Sequence, residues 1–173
     1  MVSAGTGASE LVDPELVDIV DDDDRVVATV TRAEMRAGRL RHRGVFLVVR
    51  RSDGRVLVHQ RSPAKDIWPS AWDVAVGGVV TAGEAWEAAA ARELAEEVGI
   101  EGATLTLARA GRYADADVDE VARVYTVTWD GPVRFVDGEV VAAEWLTPAE
   151  VDERTARLPF CPDSLALAGD LLR

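Results

Sequence analysis

The sequence predicts a mixed β-sheet with helices packed on its faces, an α/β or α+β chain built in three layers. Two observations carry this. Short segments rich in β-branched residues recur from Leu16 to Leu146, and helix start and stop signals fall between and after them. Within Arg55–Arg61, Val56 and Val58 alternate with Leu57 and His59, so neither face is fully polar. Such a strand belongs in the middle of a sheet covered on both sides.

The elements follow in order. Residues 1–14 are small, polar and turn-forming and are expected to be a flexible segment, leaving 15–173 as a single domain. Leu16–Val20 and Arg25–Thr31 read as an N-terminal β-hairpin (15–31) around the acidic turn Asp21–Asp24, whose like charges are expected simply to face water. Thr31, with Glu34 at capping-box spacing, starts a short helix that Gly38 stops. Val45–Arg50 and Arg55–Arg61 read as strands joined by the turn Ser52-Asp53-Gly54. Ser62–Trp72 reads as a loop, and Asp73–Val76 as a short strand that delivers Gly77-Gly78. After an alanine-rich helix ending at Gly99, Thr104–Tyr113 and Val121–Trp129 read as strands on either side of the acidic loop Ala114–Glu120. Val140–Leu146 is the last strand. Thr147 with Pro148 opens a helix to about residue 156, and 163–171 closes the chain as a second one.

Composition narrows the function classes. A 48% hydrophobic, 29% charged chain of 173 residues is long enough to bury a proper core. No apolar run reaches the ~20 residues of a membrane helix, and the first residues lack a signal-peptide pattern. Cys161 is the only cysteine, so no intramolecular disulfide can form, and a cytoplasmic location is expected. The net charge of −12, without a basic stripe, argues against nucleic-acid polymers as partners. A small phosphorylated substrate shielded by a metal and a few arginines is compatible with it. The oligomeric state stays open, a homodimer included.

Chemistry concentrates in Gly77–Ile100, GGVVTAGEAWEAAAARELAEEVGI. On a helix Glu93, Glu96 and Glu97 sit at about 0°, 300° and 40° of azimuth, within one arc of roughly 100°. Three like charges so close are destabilising unless a cation neutralises them. Oxygen-only ligands suit hard divalent ions, Mg²⁺ or Mn²⁺ above all. An isolated Glu-Glu pair would more simply be a solvated face. The longer pattern argues otherwise: Gly78, then Glu84, Arg92-Glu93-Leu94, Glu96-Glu97, Gly99 and Ile100 at set spacings.

That pattern resembles the signature box of the Nudix hydrolases, with every defined position occupied. The resemblance implies the Nudix α/β/α sandwich with a mixed central sheet. It also implies hydrolysis of a diphosphate bond, in a small nucleoside-diphosphate-like substrate, by metal-activated water. Glu96 and Glu97 would ligate Mg²⁺ or Mn²⁺. Glu93 would ligate or act as general base, the Gly77 carbonyl would be a further ligand, and Arg92 would orient a glutamate, with Glu84 as its partner. One more carboxylate from outside the box is expected among Glu120, Glu139 and Glu144, with Glu139 preferred for its place before a strand. Flanking residues (His42-Arg43, Leu57–Arg61, Lys65–Pro69, Trp72, Glu144-Trp145, Pro162-Asp163-Ser164) are similar to a bacterial subgroup close to isopentenyl-diphosphate isomerase. The isomerase Cys-Gly-His triplet, however, falls on Gly77-Gly78-Val79. With the acid–base cysteine missing, hydrolysis is expected in place of isomerisation. A nucleotide-binding domain without turnover is the other alternative.

Other residues carry two readings. Arg50, Arg51 and Arg61 are candidates for substrate phosphate or for the solvated surface, and Glu84 for substrate contact or a structural pair. Trp68, Trp72 and Tyr113 stack on a base or anchor loops. His42 and His59 are read as structural, and Cys161 as a small buried hydrophobe.

Overall fold

The structure is a computed structural model that describes residues 15–135 and 138–173; the segment 1–14 lies outside the described residues. β1 (Leu16–Val20) and β2 (Val26–Thr31) form the expected antiparallel hairpin, and α1 (Arg32–Gly38) follows directly. Thr31 and Glu34 close a full capping box, each side chain meeting the other's backbone. The tip of the acidic turn faces water as expected, with the Asp22 and Asp23 side chains 78% and 67% exposed, and arginines also pair with the turn. Asp22 pairs with Arg41 (2.7 Å) and Arg112 (2.6 Å), and Asp24 with Arg43 (2.6 Å), so arginines of the main sheet clasp the turn.

β3 (His42–Arg50) is the strand on which the sheet is assembled. It runs parallel to β8 (Asp119–Thr128) along its whole length and antiparallel to β6 (Val76–Val79), with shorter contacts to β1 and to β4 (Val56–Arg61). β4 in turn pairs with β9 (Val140–Leu146) and with β5 (Trp72–Asp73), while β7 (Thr106–Ala114) pairs with β8. The parallel β3–β8 pairing among antiparallel ones makes the sheet mixed.

Period-two alternation builds two cores. Val45, Leu47 and Val49 of β3, with Leu57 of β4, face α2 (Trp86–Val98) and meet its Ala89, Ala90, Leu94 and Val98. Phe46 and Val48, with Val56 and Val58, face the opposite way onto α3 (Pro148–Thr155) and α4 (Pro162–Ala168) through Val151, Leu167 and Ala168. β4 is therefore covered on both sides, as its sequence requires. Helices on both faces of a mixed sheet are the α/β/α arrangement. A 3-10 turn (Gly169–Leu172) ends the chain, where a longer helix was expected. No helix among the described residues is long and apolar enough to cross a membrane.

The glycine pair does not lie beyond a strand as expected; it is the middle of β6. Phe46 pairs with Gly77 and Val45 with Gly78. A Cβ on Gly77 would lie 1.9 Å from the Val45 carbonyl oxygen, so no side chain fits there without moving the backbone of β3. Gly83 differs, with φ +73° and open space around it. Gly77→Ala should therefore cost about 3 kcal/mol or more in urea unfolding, against about 1 kcal/mol for Gly83→Ala. Equal costs would show that β6 can shift freely off β3.

Candidate active site

β6, α2, the loop 62–71, β8 and α1 enclose one cleft, of about 680 Å³ including its open mouth. α2 supplies its floor. The helix begins without a side-chain cap at Ala85 and ends at Gly99, which takes the left-handed conformation (φ 66°) that terminates helices. It lies so close to β6 that a Cβ on Gly78 would meet the Glu93 carboxylate at 2.7 Å. The glycine thus leaves the space that the carboxylate fills.

Arg92 holds this arrangement. Its Nε and Nη2 donate to the two oxygens of Glu84 (3.0 and 2.9 Å), and its Nη1 donates to Glu93 Oε1 (2.7 Å) and Glu96 Oε2 (3.2 Å). Nη2 also reaches the Val79 carbonyl (3.3 Å), tying helix to strand. A bidentate pair of this kind fixes geometry as well as charge. The hydrogen bond to Glu84 is the main reason the Arg92 guanidinium holds its proton more firmly than usual.

The three box carboxylates are not equivalent. Glu93 and Glu97 are buried and line the cleft, while Glu96 is exposed beside Arg92 at the outer edge of the arc. Burial pushes Glu93 upward from its ordinary value against the pull of Arg92. Burial, then repulsion from Glu93, pushes Glu97 up much further. Glu97 Oε2 is buried without a hydrogen-bond partner, and the nearest cation to Oε1 is Lys65 Nζ at 3.9 Å. Two buried carboxylates, one with an orphaned oxygen, form a donor set that a hard divalent cation would satisfy. No group of three or more His, Cys, Asp or Glu side chains among the described residues encloses a common point, so the fit rests on this pair and its charge.

Of the carboxylates expected outside the box, Glu139 and Glu120 line the cleft and Glu144 does not. Lys65 bonds Glu139 and spans from it toward Glu97. Burial raises Glu139, but the hydrogen bond and charge of Lys65 hold it below the ordinary range. Glu120, on β8, is buried at 5% exposure with Oε1 lacking a partner. Burial and the nearby Asp163 push it well above the usual carboxylate range. Glu144 is instead held by Arg154 (2.6 and 2.8 Å).

Two expected substrate contacts fall elsewhere. Arg50 ends β3, about 26 Å of strand from His42 at its start, and reaches the Arg173 carbonyl (3.5 Å). Glu84 has both oxygens engaged, by Arg92 and by the Thr81 amide (3.1 Å). Arg61 does line the cleft, bonding the Ile67 carbonyl through Nη2 (3.1 Å) and facing Asp73 at 4.0 Å. Gly77 lines it too.

The sequence matches the NUDIX domain pattern over residues 40–164. The chain belongs to the Nudix family. An uncharacterized Nudix hydrolase of Pseudomonas aeruginosa is 38% identical over 158 residues, covering 88% of this chain and 90% of the relative. The crystal structure of the Deinococcus radiodurans protein DR0079 superposes with a TM-score of 0.77 at 29% identity, over 92% of this chain and 100% of that one. The Nudix domain of Shewanella oneidensis NrtR, solved with ADP-ribose, superposes with a TM-score of 0.63 at 21% identity, over 83% and 100%. The fold and the hydrolase class inferred from the signature box agree with these relationships.

Several residues of this Nudix cleft were not singled out as site residues by the sequence. Arg32 and Arg36 reach it from α1, Asp73 from β5 and Asp163 from the start of α4. Asp163 after Pro162 reads as a helix start. Asp73 had one clue, an acid inside an otherwise apolar stretch, and such residues are seldom buried without a role.

His42 is buried at 1% exposure, its Nδ1–H donating to the Leu40 carbonyl (3.0 Å). Burial lowers its pKa from 6.5 to about 4. Below pH 6.5 the unfolded chain takes up a proton that the folded chain refuses until about pH 4, so stability drains away as pH falls through that window. Asp163, raised from 3.8 to about 7 mainly by burial, acts in the opposite sense, because its folded form binds the proton first. Comparing wild type with His42→Gln isolates the histidine. By pH 5 the variant should have lost about 2 kcal/mol less than wild type relative to pH 7.5, read from urea midpoints. Parallel losses would remove His42 as the cause.

Proposed function

We propose that this Nudix hydrolase is a Mg²⁺- or Mn²⁺-dependent pyrophosphohydrolase acting on a small diphosphate compound. The observation that carries the reading is the pair of buried carboxylates, Glu93 and Glu97, beside a cleft whose wall also bears Arg61 and Lys65. Glu93, Glu97 and, at the rim, Glu96 would hold the cation, with Glu139 adding an oxygen. A bound divalent ion would supply charge neutralisation to a diphosphate and lower the pKa of water.

The chain's own groups account for the remaining requirements. Arg92 occupies Glu93 Oε1, leaving Oε2 to accept a proton from the attacking water. Burial raises the basicity of that carboxylate, which suits the task. Attack of the water oxygen on one phosphorus breaks its bond to the bridging oxygen. The proton moves to Glu93, and the departing phosphate leaves as an anion that Lys65 and Arg61 are placed to neutralise. Arg92 and Glu84 act as positioning residues, fixing Glu93 without touching substrate. An isoprenoid isomerase is disfavoured on structural grounds as well, since residue 77 has no room for a cysteine side chain.

Incubation with nucleotide sugars, dinucleoside polyphosphates, coenzyme A, ADP-ribose and nucleoside triphosphates, with Mg²⁺ or Mn²⁺ and product masses determined, tests the reading. Glu97→Gln should lower turnover at least ~100-fold with thermal stability kept or raised, since it removes a buried charge. Chelation of the metal should abolish turnover. Tight nucleotide binding with no product under any metal would sink the hydrolase reading and leave a nucleotide-binding domain.

A further inference from the structure

The cleft contains a second group of acids that the proposed chemistry does not use. Glu120 of β8, Asp163 of α4 and Asp73 of β5 are each at most 9% exposed, and all line the same cavity. They come from three separate elements, so no local charge pattern assembled them. Glu120 Oε1 is buried and has no hydrogen-bond partner. Asp163 is engaged through its Oδ1, which accepts from the Ser164 amide (2.6 Å). Asp73 is engaged in part, accepting from the Ala75 amide (3.1 Å) and facing Arg61 at 4.0 Å.

An orphaned buried carboxyl oxygen has a definite cost, about 1–3 kcal/mol. A protein gains nothing by keeping one in a purely structural wall, where an apolar residue of like size would pack as well. The cost is offset if a ligand brings the missing donor. Among the described residues, no hydrogen bond from a nearby protein donor reaches that oxygen: Arg36 Nε donates to Asp66 (3.1 Å), and His42 Nδ1 to Leu40. The apolar lining of the cleft, Phe46, Ile67, Trp68 and Val118 among it, can contact the body of an organic group but cannot satisfy that oxygen.

We propose that this acid group marks a subsite for the organic group carried by the diphosphate, and that Glu120 with Asp163 selects a group bearing N–H donors, such as an amine. This deepens the diphosphate reading and rests on it. It assigns Glu120 and Asp163 a substrate-selecting role, and it predicts discrimination against a hydrocarbon group. A hydrocarbon would leave the acids unpaired in a site from which it had expelled water, the situation in which polar sites discriminate most strongly.

The test uses non-hydrolysable methylene bisphosphonates, so its readout does not depend on turnover. Three end-groups on alkyl chains of matched, graded length are compared by calorimetry with Mg²⁺: an ω-amine, an ω-trimethylammonium and a plain methyl. Wild type should bind the amine at least ~10-fold more tightly than the methyl probe at the best chain length, the worth of one good hydrogen bond. The trimethylammonium probe should gain little, because it has charge without donors. In Glu120→Gln and in Asp163→Asn the amine preference should shrink toward unity while affinity for the methyl probe is unchanged.

Equal binding of amine and methyl probes at every length overturns the proposal, as does a preference that survives in both variants. Equal gains from amine and trimethylammonium would replace donor recognition with charge alone and overturn it too. If the variants weaken the methyl probe as much as the amine, Glu120 serves the phosphate and metal end instead. Failure of every probe to bind wild type would remove the diphosphate reading itself and this proposal with it.

Discussion

The cleft depends on how closely α2 approaches β6. Glu93 can rest on the backbone of the strand only because Gly78 has no side chain, and β6 can lie tight against β3 only because Gly77 has none. Glycine in a strand gives up side-chain packing and costs backbone entropy. Ala89, Ala90, Leu94 and Val98 offset that loss by packing the helix against Val45, Leu47 and Val76. The small alanines let the helix come near, the glycines let it come nearer, and Arg92 holds it through the Val79 carbonyl while engaging Glu84, Glu93 and Glu96. One guanidinium thus links helix, strand and preceding loop.

That closeness concentrates negative charge. Glu93, Glu97, Glu120, Asp73 and Asp163 are all buried, with Arg32, Arg36, Arg61 and Lys65 as the cleft's countercharges. Burial drives four of these acids upward: Glu93, Glu97, Glu120 and Asp163. A wall of this kind is poor architecture for stability alone and good architecture for binding something positive or rich in donors. Lys65 bridges Glu139 and the Glu97 side, and the charge of Asp163 adds to the upward push on Glu120.

The N-terminal hairpin and α1 precede the span matched by the family, yet they belong to the working body of the molecule. Asp22 and Asp24 are clasped by Arg41, Arg43 and Arg112, and Met35 packs with Val17, Ile19 and Val79. Arg32 and Arg36 thereby reach the cleft. The aspartates of the acidic turn repel one another, and the tip of the turn stays in water. Its sheet-side arginines convert that repulsion into a docking contact, a role a linear reading of the aspartates cannot supply, because the partners are about 20 to 90 residues away in the chain.

Local rules were enough for whatever local rules control. Capping residues at Thr31 and Thr147, the Gly99 stop and the alternation of β3 and β4 determined element type and which faces are covered. Helical spacing determined that Glu93, Glu96 and Glu97 share an arc. It could not decide which of them would be dry, since that depends on how the helix is rolled against β6; the structure buries Glu93 and Glu97 and leaves Glu96 at the edge. Nor could it separate Glu120 and Glu139 from Glu144, because all three lie in or beside strands and only the sheet's pairing points two of them into the cleft. Arg50 and Arg61 look alike in sequence, but one ends a strand at the remote side and the other lines the site. Sequence alone determined the fold class and the spacing of the box carboxylates, because both are written in short-range pattern. Tertiary structure decided the membership of the cleft, because burial and charge proximity arise only where distant segments meet.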